Sequence, residues 1–251
     1  MRLITIPMSH YCEKARWGLT HAGVGYVEEA HLQVFHYRAV RRYSRLGMVP
    51  VLITNTSAIA DSTTILKFLD QQLPEPRKLY PESLRTEIEQ LEEQFDETLG
   101  VETRRWVYFQ YMKAPMGEVL RTAAQGTPRW QRIVAPLLLP IMRMYLNRHL
   151  AITRDNVEQG LSTISESFDQ VAARLGDGRR YLLGDRFTAA DLTFACMAAP
   201  ILLPPEYGIR LPTLDEAPEI ARADIRRFRG HPAGEFALRL FREQRGNIFS
   251  P

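Results

Sequence analysis

An α/β domain followed by an all-α helical-bundle domain is what this chain predicts, and three observations carry the prediction. Residues 2 to 73 alternate short runs of branched apolar residues with segments of helical period; residues 74 to 81 hold three prolines; beyond them only helical patterns recur. A length of 251 residues suits two domains, and 45% hydrophobic with 24% charged residues is the balance of a globular chain that can bury a core.

Arg2 to Ile6 alternates and is rich in branched side chains, as a strand is, and Pro7 ends it. Cys12, Ala15, Leu19 and Ala22 then recur at helical spacing up to Gly23-Val24-Gly25, so a helix is expected from the Ser9 turn to its glycine stop. Tyr26 to Leu32 reads as a second strand, completing a βαβ unit that requires parallel pairing and a right-handed crossover. A basic helix is expected over 36–46, with Arg38, Arg41, Arg42 and Arg45 on one solvated face. Val49 to Thr54 and Ser57 to Ala60 read as short strands joined through Asn55-Thr56, and Asp61-Ser62 caps a helix carrying Ile65, Leu66 and Leu69.

Pro74, Pro76 and Pro81 exclude both helix interior and central strand. The expected division is therefore an α/β domain over 1–76, a Pro-rich linker over 77–83 and a helical domain over 84–251. In the last, Ile88, Leu91, Phe95 and Leu99 form one helical stripe, and Val157, Ile164, Phe168 and Val171 lie on a second. Thr188-Ala189-Ala190-Asp191 has the form of a capping box with Phe187 as its staple, and a last helix runs from His231-Pro232 through Phe236 and Leu240. Ile133 to Leu146 is the most apolar stretch. Two prolines and Arg143 interrupt it and it falls short of the ~20 residues of a membrane span, so a buried helix is expected there.

A net charge of +3 is too small to argue for nucleic acid; the first 80 residues carry +4 and the remainder −1, which favours an anionic ligand on the first part. Cys12 and Cys196 lie far apart, and neither they nor the histidines show zinc spacing, so reduced thiols and no metal are expected. The apolar N-terminal stretch is too short for a signal peptide. A cytoplasmic protein without membrane or nucleic-acid partners is the resulting expectation.

The chemistry concentrates in three turns. Ser9 opens the first helix, where unpaired amides and the helix dipole stabilise a thiolate and a hydroxyl adds a charge-assisted hydrogen bond. Ser9 is thus a candidate to activate a substrate thiol, whose ordinary pKa of about 8.5 leaves it mostly protonated near neutrality. Cys12 is the rival nucleophile, although helical spacing sets it with Ala15 and Leu19 as a core residue. Val49-Pro50 leaves Val49 extended and, if cis, turns its backbone outward to pair with a peptide-like ligand. Asp61-Ser62 offers helix amides, a hydroxyl and a carboxylate, a set that suits an amino-acid group. His36, at the start of the basic helix, is within reach of an anionic ligand.

Taken together, Ser9-His10-Tyr11-Cys12, Gly47-Met48-Val49-Pro50-Val51-Leu52, Asp61-Ser62 and Leu183-Gly184-Asp185-Arg186-Phe187-Thr188-Ala189-Ala190-Asp191 resemble, in order, four motifs of the glutathione transferase superfamily. The resemblance implies a thioredoxin-like N-terminal domain, glutathione as cosubstrate, a homodimer and detoxifying transfer to a small hydrophobic electrophile. It places Ser9 as the thiol-activating residue, Val49 and Pro50 on the cysteinyl part, Asp61 and Ser62 on the γ-glutamyl part, and His36 near the glycine carboxylate. Tyr11, Tyr108, Tyr111 and Met112 are expected on the electrophile side. The cysteine stands at the last position of the first turn, whereas thiol-reductase branches carry it at the first; reduction through Cys12 is the alternative chemistry, and a non-catalytic binding protein the alternative class. Residues 100–150 make the helical part longer than is usual for the family.

Overall fold

The sheet is built on alternation. In the computed structural model, which describes residues 1–44, 47–112 and 114–245 without the side chains of 111, 112, 116, 139, 141, 142 and 149, four strands form one sheet. They are β1 (Arg2–Thr5), β2 (Val27–Ala30), β3 (Val51–Ile53) and β4 (Ala58–Ala60), in the order β2-β1-β3-β4. β1 pairs parallel with β2 and antiparallel with β3, as the βαβ reading requires. Successive residues of β1 face opposite sides: Leu3 packs with Leu52 against α1 (His10–Ala22) and α3 (Ser62–Asp70), while Ile4 packs with Val51 against Val40 of α2 (His36–Val40). Gly18 of α1 admits Leu66 of α3 so closely that a Cβ there would stand 2.2 Å from the Leu66 Cδ2 atom.

All four strands and α2 are shorter than the sequence predicts. β2 covers Val27–Ala30 rather than Tyr26 to Leu32, because β1 offers four residues to pair with. α2 ends at Val40 rather than near 46: its inward row is only His36 and Val40, and Arg41 and Arg42 follow in an exposed turn. Arg38 is exposed as expected, and Arg45 lies outside the described residues.

Contacts divide the chain into two compact units that do not follow its linear order. One comprises residues 1–72 with 114–151, the other 73–113 with 152–251. The division expected along the chain, at 77–83, therefore leaves a segment on the far side of the linker that packs with the near one. That segment is α6 (Met116–Ala123) and α7 (Arg129–Leu150). Ala124 and Ala135 pack with Leu32, flanked by Phe35 and Leu120. The buried Gln131 accepts a hydrogen bond from the Leu32 N–H at 2.9 Å and stands 2.8 Å from His31 Nδ1. α7 is not the buried helix expected over Ile133 to Leu146. Among its described side chains Gln131, Ala135 and Leu146 are the buried ones, and Ile133, Leu137 and Met144 are exposed.

The other unit is helical. The Pro-rich stretch folds as two single 3₁₀ turns, Glu75–Arg77 and Glu82–Leu84. α4 (Arg85–Gln94) passes through a π-turn at Phe95–Leu99 into α5 (Gly100–Met112), and α8 (Arg154–Leu175), α9 (Ala189–Leu202), α10 (Glu219–Arg229) and α11 (Pro232–Leu240) complete it. α9 is the axis: every residue except Pro200 is buried, and α4, α5, α10 and α11 pack around it. Its capping box is present as predicted, Asp191 accepting hydrogen bonds from the Thr188 N–H and hydroxyl and from the Leu182 N–H, all at 2.8 Å. Burial nevertheless pushes the Asp191 carboxyl up to about 6 against those hydrogen bonds. No helix among the described residues is long and apolar enough to cross a membrane.

Gln131→Leu strands the buried Leu32 N–H and should lower stability by about 1–3 kcal/mol in urea unfolding, whereas Arg129→Gln, two residues away and exposed, should change it by less than about 0.5 kcal/mol.

Candidate functional site

Strand register gathers the three turns. Ile4 pairs with Val51 and Val51 with Ala60, so the end of β1, the start of β3 and the end of β4 lie at one edge of the sheet. The chain leaves β1 through Pro7 to Ser9, enters β3 through Val49-Pro50 and leaves β4 into Asp61-Ser62. The Asp61 N–H donates to the Pro50 carbonyl at 3.2 Å and ties the second turn to the third.

Ser9 caps α1, a helix of 13 residues, with extended backbone, and its Oγ accepts from the Cys12 N–H at 3.3 Å. Its side chain is also hydrogen-bonded to the Cys12 thiol. Cys12 is fully buried, and burial pushes its thiol up to about 11 even though Arg16 and the Ser9 hydrogen bond act to lower it. Cys12 is therefore a neutral core thiol near pH 7, the structural role its helical spacing predicts.

Two buried cations behind this turn escape the periodicity of α1, which assigns only Cys12, Ala15, Leu19 and Ala22 inward. The Arg16 guanidinium donates to the Pro7 carbonyl at 3.2 Å, to Glu28 at 2.7 Å and to Glu13 at 3.3 Å, and these carboxylates hold its pKa well above the usual arginine range. It fixes the backbone two residues ahead of Ser9. Lys14 donates to the Thr63 hydroxyl at 2.7 Å and joins α1 to the first turn of α3. A charged residue with partners on both flanks buries as readily as an apolar one, and the sequence signal would have been the run Glu13-Lys14-x-Arg16 facing Glu28 across the βαβ unit.

The Val49–Pro50 peptide is cis, with Pro50 buried and Val49 half-buried. Asp61 has φ 77° and ψ 136°, a sparsely populated conformation that costs a non-glycine residue about 1–3 kcal/mol and is characteristic of ligand sites. Its exposed carboxylate accepts from the Thr64 N–H at 2.9 Å and hydroxyl at 3.0 Å, so Asp61 is the cap of α3 as predicted. Ser62 is 1% exposed, and its Oγ has no hydrogen-bond partner among the described residues. A buried hydroxyl left in that state costs free energy unless a further group completes it.

His36 departs from expectation. It is buried, its Nδ1 has no hydrogen-bond partner among the described residues, and burial lowers its pKa to about 4. It is neutral near pH 7 and supplies no positive charge for a carboxylate. Tyr11 is half-buried in the first unit, its ring 4.4 Å from that of His10. Tyr108 lies on α5 in the second unit, half-buried, with its phenol pushed up by burial. Tyr111 and Met112 belong to the same helix, and their side chains lie outside the described residues.

Residues 3–77 match the family model of the glutathione S-transferase N-terminal domain, and residues 154–230 that of the glutathione S-transferase C-terminal domain. Similar solved structures include a glutathione S-transferase from Rhodospirillum rubrum F11, 21% identical over 97% of this chain and 98% of that one, TM-score 0.59. A theta class enzyme from Xanthomonas axonopodis pv. citri with glutathione bound is 19% identical over 99% and 97%, TM-score 0.57. One from Methylobacillus flagellatus KT, also with glutathione bound, is 17% identical over 94% and 98%, TM-score 0.55. A search of curated proteins returned no match. At these identities the likeness shows the fold.

Two measurements follow from the burial of Cys12 and His36. Both thiols, Cys12 and Cys196, are fully buried, so iodoacetamide should alkylate neither appreciably in the folded protein at pH 7.5 and both once it is unfolded. His36 takes a proton near 6.5 in the unfolded chain but only near 4 in the folded one, so the unfolded state holds more protons between those values. Its contribution is complete above pH 6.5 and is lost as pH falls toward 4, by at most about 3 kcal/mol. Asp191 runs in the opposite sense, so the readout is the difference between wild type and His36→Gln, which should shrink across that window.

Proposed function

Because this chain belongs to the glutathione S-transferase superfamily, we propose that its first unit binds glutathione across the three clustered turns and activates the thiol for addition to a small hydrophobic electrophile. The observation that carries this reading is Ser62, a buried hydroxyl at the start of α3 without a partner among the described residues. A carboxylate of an amino-acid group is the acceptor such a hydroxyl needs, and the α3 amides reinforce it. Asp61, exposed next to it, meets the ammonium of the same group. Val49 and Pro50 meet the peptide portion.

The sulfur then falls to Ser9. Its hydroxyl proton donates to the thiolate, and the N-terminal end of α1 adds a favourable field; together they lower the thiol pKa and raise the fraction of nucleophile at neutral pH. The thiol proton leaves to solvent, and the thiolate attacks the electrophile. His36, neutral near pH 7, would meet the glycine carboxylate as a hydrogen-bond donor and not as a cation. Reduction through Cys12 has no observation in its favour, since that thiol is enclosed and its pKa raised.

Ser62→Ala should weaken glutathione binding about 10- to 100-fold, the value of a buried hydrogen bond to a charged group, with kcat little changed. Ser9→Ala should do the reverse, lowering kcat at least tenfold with a smaller effect on the glutathione KM. Undiminished glutathione affinity in Ser62→Ala contradicts the binding mode. Retention on glutathione-agarose without turnover across a panel of electrophiles contradicts the transferase chemistry and leaves a binding protein.

A further inference from the structure

The outward face of α7 is largely exposed. Trp130, Ile133, Leu137 and Met144 are 53%, 75%, 78% and 67% exposed and recur at spacings of 3, 4 and 7, a single row about 21 Å long at 1.5 Å per residue. Exposed apolar side chains in such a row mark an interaction surface, whereas scattered ones do not. Arg129 and Arg132 stand at one end of the row and Arg148 at the other, all exposed. Between Glu118 and Asp155 the chain holds six arginines and no acidic residue.

The surroundings add to this charge. Phe35 meets Trp130 edge to face at 5.2 Å, the Tyr37 hydroxyl lies 3.1 Å from that of Tyr145, and the exposed Arg38 and Arg41 follow Tyr37 in the chain. The occupant must therefore be apolar in the middle and anionic at the margins. A second copy of this face is a poor match, because either antiparallel or parallel pairing of two α7 helices sets arginine against arginine.

We infer that α7 docks this protein on an anionic lipid surface, its apolar row entering the headgroup boundary and its arginines pairing with lipid phosphates. Tryptophan at one end and arginines at both are the side chains that suit this depth, the indole amphipathic and the guanidinium able to snorkel outward. The helix lies on the membrane and does not span it, consistent with its two prolines and four arginines.

Flotation of the full chain with phosphatidylglycerol–phosphatidylcholine vesicles tests this directly. Binding should be at least about tenfold tighter than to phosphatidylcholine alone and should weaken as salt rises. Ile133→Ser with Leu137→Ser removes apolar surface without disturbing the core, both residues being mostly exposed, and should weaken binding at least about tenfold. Arg129→Gln with Arg132→Gln should reduce the salt dependence. Of the three tryptophans, Trp17 and Trp106 are buried, so a blue shift of the emission on binding reports Trp130 and should vanish in Trp130→Phe. Vesicle binding that the serine pair leaves unchanged overturns the proposal. So does absence of binding to anionic vesicles: with a fall in sedimentation mass in the serine pair it assigns the face to a second copy, and with unchanged mass to an acidic protein surface.

Discussion

The pairing of Val51 with Ile4 on one side and Ala60 on the other is the constraint on which the site depends. Because side chains alternate along a strand, a slip of one residue in either ladder would turn Leu3 and Leu52 away from α1 and α3 and separate the three turns. Register is therefore held by the core. The same burial that stabilises the first unit sets Ser9, Val49-Pro50 and Asp61-Ser62 at one edge, with the Asp61-to-Pro50 hydrogen bond as the link between two of them.

What the sequence makes legible in this region is what local chemistry dictates. Ser9 and Asp61 are short polar residues before apolar periodic runs, and both cap helices; Gly23, at φ 69°, ends α1 as a C-terminal glycine should. Thr188 and Asp191 form their box for the same reason. Less legible are the groups whose state is set by neighbours distant in sequence. Arg16 lies off the apolar stripe of α1 and is buried because Pro7, Glu13 and Glu28 converge on it. His36 reads as a cation near an anion site, yet desolvation makes it a neutral core residue. Cys12 draws attention as a nucleophile, and the same burial that its helical spacing foretells removes it from the chemistry.

The α6–α7 segment shows a different limit. Its apolar content suggests a buried helix, but the inward face of α7 is narrow, and attachment to the first unit rests on Gln131 and two alanines, small or polar residues that carry little periodic signal. Trp130, Ile133, Leu137 and Met144 of that helix are exposed. Periodicity locates the helix and leaves open which face meets protein. A linear division of the chain consequently separates residues 114–151 from the unit with which they pack.

The most direct measurement of the central claim is a crystal structure of the protein grown with glutathione. The account predicts the γ-glutamyl carboxylate on the Ser62 hydroxyl and α3 amides, and the sulfur within about 3.5 Å of Ser9 Oγ. A tripeptide bound away from Ser62, or a sulfur directed at Cys12 with Ser9 out of reach, would contradict it.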